Sequence, residues 1–101
     1  MREATVEARL RRLVERAGGK CLKWVSPGHT GVPDRIILMP GGRVYFAETK
    51  APGEKERARQ EYVQRKLREL GFTVFSTVDD PDSVMKEIEY DTPNETEEKQ
   101  E

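Results

Sequence analysis

Val6, Leu10, Leu13, Val14 and Ala17 recur at helical spacing near the start of the chain and run into Gly18-Gly19. Apolar positions three and four apart form one stripe on a helix, and a glycine pair supplies the left-handed stop. This predicts a helix over 5–17. Residues 20–25 read as a short strand, and Ser26 to Pro33 as a loop on its glycine and proline content. Arg35–Met39 is β-branched and apolar, Pro40-Gly41-Gly42 is a turn, and Arg43–Thr49 is a second apolar run, so the pair predicts a β-hairpin. In the second strand Val44-Tyr45-Phe46-Ala47 are apolar in succession, which implies cover on both faces.

Ala51-Pro52-Gly53 breaks that strand. A second helix is predicted over 56–70, with Val63, Leu67 and Leu70 as its stripe and Gly71 as its stop. Residues 72–78 read as the last strand. A strand–helix–strand succession calls for a right-handed crossover and parallel pairing. Asp80-Pro81 is a cap and first-turn pair for a closing helix over 81–89, with Val84 and Ile88 facing inward. The order α-β-β-β-α-β-α, without internal repeat, describes an α/β domain with a mixed sheet flanked by helices.

At 101 residues, 37% charged and 35% apolar, the chain supports one domain with a small core concentrated in these segments. Its net charge of −1 conceals an asymmetry: residues 91–101 hold five acids against Lys99, or −4, which leaves +3 on residues 1–90. The expected division is a mildly basic folded domain at 1–90 and an acidic, disordered tail at 91–101. Cys21 is the one cysteine, so an internal disulfide and a cysteine-based zinc site within one chain are excluded, and buried packing is its expected role. No apolar run approaches membrane-spanning length and the N-terminus lacks a signal-peptide core, so a soluble, cytoplasmic protein with no membrane contact is expected.

The chemistry-bearing residues are Asp34, Glu48 and Lys50. Glu48 and Lys50, two apart on a strand, project to one face. A hairpin centred near residue 41 pairs residues whose numbers sum to about 82, and 34 plus 48 is 82, so the two carboxylates are predicted to lie opposite each other. Two carboxylates suit a hard divalent cation, with Mg²⁺ favoured because few protein ligands leave room for water and phosphate. Lys50 would then orient a water or stabilise developing phosphate charge. A turn aspartate beside a solvated Glu–Lys pair has the same spacing. Two further residues point away from that plainer reading. Glu7 borders the buried stripe of the first helix, and Gln60 lies three before Val63 on the inward face of the second, where a buried amide needs partners.

Glu7, Gly31-Val32-Pro33-Asp34-Arg35, Glu48-Thr49-Lys50, and Gln60 with Leu67 and Gly71 together resemble the VRR-NUC family of the PD-(D/E)XK nuclease superfamily. The resemblance spans roughly residues 7–78 and implies a restriction-endonuclease-like core. It also implies that Asp34, Glu48 and the Thr49 backbone carbonyl ligate Mg²⁺ or Mn²⁺, that Lys50 is the catalytic lysine, that Glu7 is the helix-one acid and that Gln60 supports the site. Glu3, one turn earlier, competes with Glu7. Thr49 stands where Leu or Val is frequent, and its side chain is expected to point away from the metal. Stand-alone members this short resemble phage proteins that act as homodimers on branched DNA such as four-way junctions.

Lys55, Arg57, Arg59 and Arg65 give the second helix a positive outer surface, interspersed with acids. With Lys23, His29 and Arg35 they are the candidate phosphate contacts, and Trp24 reads as a core or rim residue. The leading reading is a metal-dependent DNA endonuclease. A module that binds nucleic acid without cleaving it, and a protein-interaction domain, are the alternatives.

Overall fold

The computed structural model describes residues 2–91; the acidic tail expected at 91–101 lies, but for Asp91, outside them. The elements are α1 (Glu3–Arg16), β1 (Lys20–Lys23), β2 (Arg35–Met39), β3 (Arg43–Thr49), α2 (Ala58–Glu69), β4 (Thr73–Val78) and α3 (Pro81–Tyr90). They follow the order read from the sequence. The sheet order is β1-β2-β3-β4, antiparallel across the first two pairings and parallel across β3 and β4. In the hairpin, Arg35 pairs with Ala47, Ile37 with Tyr45 and Met39 with Arg43, all summing to 82. This is the predicted register.

One sheet face carries the main core. Val6, Leu10 and Val14 of α1, and Val84, Met85 and Ile88 of α3, pack with Cys21, Ile37, Met39, Tyr45, Ala47 and Val78 from the strands. These strand residues alternate along β2 and β3, as a pleat requires. The other face carries Trp24, Phe46 and Phe72, with ring centroids 5.2 Å apart for Trp24–Phe46 and 5.3 Å for Phe46–Phe72, and α2 packs against β4. Tyr45 through Lys50 are all buried, the two-sided cover expected of β3. The main core burial on the first face is apolar and contributes roughly 25 cal/mol per Å² removed from water. Cys21 lies in it, and burial pushes its thiol up to about 11, as suits a packing residue.

Element boundaries differ from the sequence reading by one or two residues, most informatively in β1 and α2. β1 stops at Lys23, because after the Trp24 amide donates to the Asp34 carbonyl (2.8 Å) the chain leaves the sheet, with Val25 exposed. α2 begins at Ala58 because the Gln60 side chain accepts from the Arg57 amide (3.0 Å) and starts the helix there, while Glu56 turns aside to other partners. Leu70 lies beyond the last turn and is 74% exposed, whereas Gln64, absent from the predicted stripe, is 1% exposed. Asp80 caps α3 as expected, accepting from the Asp82 amide at 3.2 Å.

β4 contains a local irregularity. Ala47 pairs with Phe75, but Thr49 pairs with Val78, so β4 advances three residues where β3 advances two. Thr77 takes φ +50° within this bulge. For a β-branched residue that conformation costs roughly 1–3 kcal/mol.

Gly31 fixes the approach of the loop before β2 to α2. Its φ is +87°, and an added Cβ would lie 2.9 Å from the Arg59 carbonyl oxygen. Gly31→Ala is therefore expected to destabilise the protein by roughly 1–3 kcal/mol, read as a fall in the metal-free melting temperature of about 5 °C or more. An unchanged melting temperature would mean that the loop does not need this backbone.

Candidate metal and nucleic-acid site

The end of β3 gathers the candidate residues from three directions. Strand alternation sends Glu48 and Lys50 toward α2 and Thr49 toward α1. Glu48 Oε2 lies 3.2 Å from Lys50 Nζ and accepts from Gln60 Nε2 at 3.1 Å. Lys50 Nζ also donates to Gln60 Oε1 at 3.3 Å. Gln60 thus caps its own helix and ties the carboxylate to the ammonium, which gives the inward-facing amide the partners that its position demanded. Glu48 is 4% exposed and Lys50 8%. Among the described residues, Glu48 Oε1 is buried without a hydrogen-bond partner.

On the α1 side, Thr49 joins two acids. Its amide donates to Asp34 Oδ1 (3.1 Å), and its hydroxyl lies 2.5 Å from Asp34 Oδ2 and 3.2 Å from Glu7 Oε1. The Thr49 side chain, expected to point away from the metal, faces Asp34 and Glu7. Neighbouring strand residues face opposite ways, so Thr49 turns from Glu48 but toward Glu7, and Asp34, at the strand's open end, reaches round to meet it. Glu3, Glu7 and Asp34 each offer a carboxylate oxygen within 4.8 Å of the others. Glu3 and Glu7 share a helix face one turn apart. Glu7 is the one bonded to Thr49 and paired with Arg35 (3.1 Å).

Crowded acids titrate abnormally. Burial, the hydrogen bond with Glu7 and the Glu48 charge push Asp34 up to about 7 against the donors from Thr49. Burial raises Glu48 as well, opposed by Lys50. Burial also acts upward on Glu7, but hydrogen bonds from Asp34, Arg35 and Thr49 and the Arg35 charge outweigh it and hold Glu7 low. An orphaned buried carboxylate oxygen and crowded acids, of which Asp34 and Glu48 are raised and Glu7 is held low, fit an oxygen-liganded divalent cation.

The candidate phosphate contacts divide. Arg35 turns inward onto Glu7, with its Nε buried. Lys23, His29, Lys55, Arg57, Arg59 and Arg65 are exposed. Arg59 donates to the Thr30 carbonyl (3.2 Å), and the Arg59 and Arg65 guanidiniums lie 5.2 and 5.3 Å from the Tyr62 ring centroid. Arg57, Arg59 and Gln60 line one groove with Thr30, Gly31 and Val32, so the positive end of α2 adjoins the buried site. Trp24 and His29 line the next, with Tyr62 and Leu67. No helix among the described residues is long and apolar enough to cross a membrane.

The sequence reading missed a set of polar residues beside the site: Glu56, Gln64, Arg68, Ser76 and Thr77. Gln64 carried a usable signal. It follows Gln60 by four, on the same inward face.

No protein-family model matches the chain. It is 43% identical over 74 residues to "Putative nuclease p44" of Acyrthosiphon pisum secondary endosymbiont phage 1, a match covering 73% of this chain and 80% of that protein. Among solved structures it is similar to a VRR_NUC domain, with a TM-score of 0.76 and 28% identity, over 86% of this chain and 94% of that one. The motif residues, the four-stranded mixed sheet and these relatives agree: the chain belongs to the VRR-NUC family.

Proposed function

We propose that the protein is a Mg²⁺- or Mn²⁺-dependent DNA endonuclease that hydrolyses phosphodiester bonds, selects branched DNA such as four-way junctions, and acts as a homodimer. The observation that carries this reading is the end of β3, where a buried carboxylate with a free oxygen and a lysine lie on the α2 side, Asp34 and Glu7 lie on the α1 side, and a cationic helix end adjoins them. Asp34, Glu48, the Thr49 carbonyl and Glu7 would hold the cation. Bound there, Mg²⁺ supplies Lewis-acid stabilisation of the phosphoryl oxygens and favours ionisation of a water. Lys50 directs an ammonium proton at that water or at the oxyanion forming on phosphorus. Gln60 fixes both Lys50 and Glu48, so neither has to reorganise as charge develops. Lys55, Arg57, Arg59 and Arg65 receive the flanking phosphates, with Lys23 and His29 at the rim. Symmetric cleavage of two strands needs two such sites, which a two-fold dimer provides.

The test is a panel of duplex, flap, splayed-arm and four-way-junction DNA with Mg²⁺ and with Mn²⁺. Cleavage of the junction above the duplex is expected, together with binding that weakens steeply as salt rises from 50 to 200 mM, on the order of 10³-fold for about six phosphate contacts. Binding without cleavage in either metal would replace the nuclease by a binding module. No salt-dependent binding would remove DNA as the substrate. Sedimentation of the protein alone tests the dimer.

A further inference from the structure

The β4 bulge lies directly beside Glu48 and is clamped from α2. Thr77, the one non-glycine with positive φ among the described residues, has its amide 2.9 Å from Glu56 Oε1. The same oxygen accepts from Gln64 Nε2 at 3.0 Å, and Gln64 Oε1 accepts from the Ser76 hydroxyl. Arg68 donates to Ser76 Oγ (2.6 Å) and to the Val74 carbonyl (2.7 Å). Both bulge residues are thus bonded to side chains from α2 and the segment before it. The first rung beyond the bulge is the Lys50 amide donating to the Val78 carbonyl at 2.9 Å.

We propose that Glu56 and Gln64 are positioning residues. They hold Thr77 in its disfavoured conformation, so that β4 presents the Val78 carbonyl to Lys50 and sets the lysine against Glu48 and Gln60. Without the clamp, Thr77 relaxes toward extended backbone, β4 takes up its extra residue, and Thr49 faces Thr77 instead of Val78. A one-residue slip of this kind reverses which face each side chain meets. The slip carries Val78 out of the main core, while the rest of that core, on α1, α3 and the other three strands, keeps its packing and holds the domain together.

The activity arm of the test rests on the nuclease reading; the spectroscopic arm does not. In the metal-free full-length chain, the Lys50 and Thr77 amide resonances and their hydrogen-exchange rates are compared for wild type, Glu56→Ala, Glu56→Gln, Ser76→Ala, Thr77→Gly and the Glu56→Ala/Thr77→Gly double variant. Both amides are expected to move in Glu56→Ala, to move less in Ser76→Ala, and to stay in Glu56→Gln, whose amide oxygen still accepts from Thr77. Glycine adopts positive φ freely, so Thr77→Gly in the Glu56→Ala background is expected to return the Lys50 amide toward its wild-type position. On cleavable DNA, kcat of Glu56→Ala is expected to fall about 10- to 100-fold with KM unchanged, and the double variant to recover most of the loss. A Lys50 amide unmoved by Glu56→Ala, or additive effects of the two substitutions, would overturn the proposal. If wild type cleaves no DNA, the nuclease reading fails and the amides still decide the clamp.

Discussion

Glu48→Gln is expected to bind DNA within about twofold of wild type while cleaving it on the order of 10³-fold more slowly, the scale on which removal of a preorganised charge acts, or about 4 kcal/mol of barrier. The amide keeps the carboxylate's shape, so it still accepts from Gln60 and fills the same space at 4% exposure. What it removes is the negative charge and the ligand strength of Oε1, the buried oxygen with no partner among the described residues. Lys50 loses its opposite charge at 3.2 Å, so the ammonium is no longer aimed by Coulomb attraction. Asp34 feels the change too, because the Glu48 charge is one of the causes that raise it. Single-turnover cleavage with Mg²⁺, binding without metal, and a carboxyl titration of Asp34 read the three consequences separately. Wild-type cleavage by Glu48→Gln would remove Glu48 from the site.

Asp34→Asn is expected to be inactive and yet more stable than wild type when metal is absent. Asp34 titrates at about 7 in the folded chain against an ordinary 3.8. Below pH 4 both states hold the proton. Between pH 4 and 7 the folded state holds it and the unfolded state does not, so this contribution to stability is lost as pH rises through 7. Allowing for partial solvent screening, the loss is on the order of 2 kcal/mol. Asn cannot ionise, and its carbonyl still accepts from the Thr49 amide. Melting temperatures from pH 4 to 8 with chelator are therefore expected to decline for wild type relative to Asp34→Asn. Added Mg²⁺ is expected to restore wild type by mass action and to do little for the variant. Parallel pH curves for the two proteins would contradict the crowding of acids around Thr49.

How far the sequence reveals this site depends on the range of the interaction. The hairpin register was legible because a tight turn and a two-residue period fix it locally, and Arg35–Ala47 pairs as that count requires. Gln60 was legible as a polar residue on an apolar stripe. Glu7 was legible as a border residue, but its bond to Thr49 was not, because it depends on how α1 crosses the sheet. The orientation of Thr49 needed only strand alternation, applied relative to α1 as well as to Glu48. The β4 bulge was hidden for a deeper reason: parallel pairing joins residues on either side of a helix, and no local signal records that Thr49 meets Val78 and not Thr77. Arg35 shows the same limit, since an arginine's charge is visible in sequence while its ion pair with Glu7 is a property of packing.

The hairpin turn has a practical consequence. Gly41 and Gly42 lie at the far end of β2 and β3 from Asp34 and Glu48, about six residues or roughly 20 Å along the strands, and an added Cβ at either meets nothing within 4 Å. Their positive φ values favour a replacement that keeps glycine on each side of an insertion. A dye, an affinity tag or a surface tether belongs there, where immobilised or single-molecule protein would keep both the acids and the cationic helix end open to DNA.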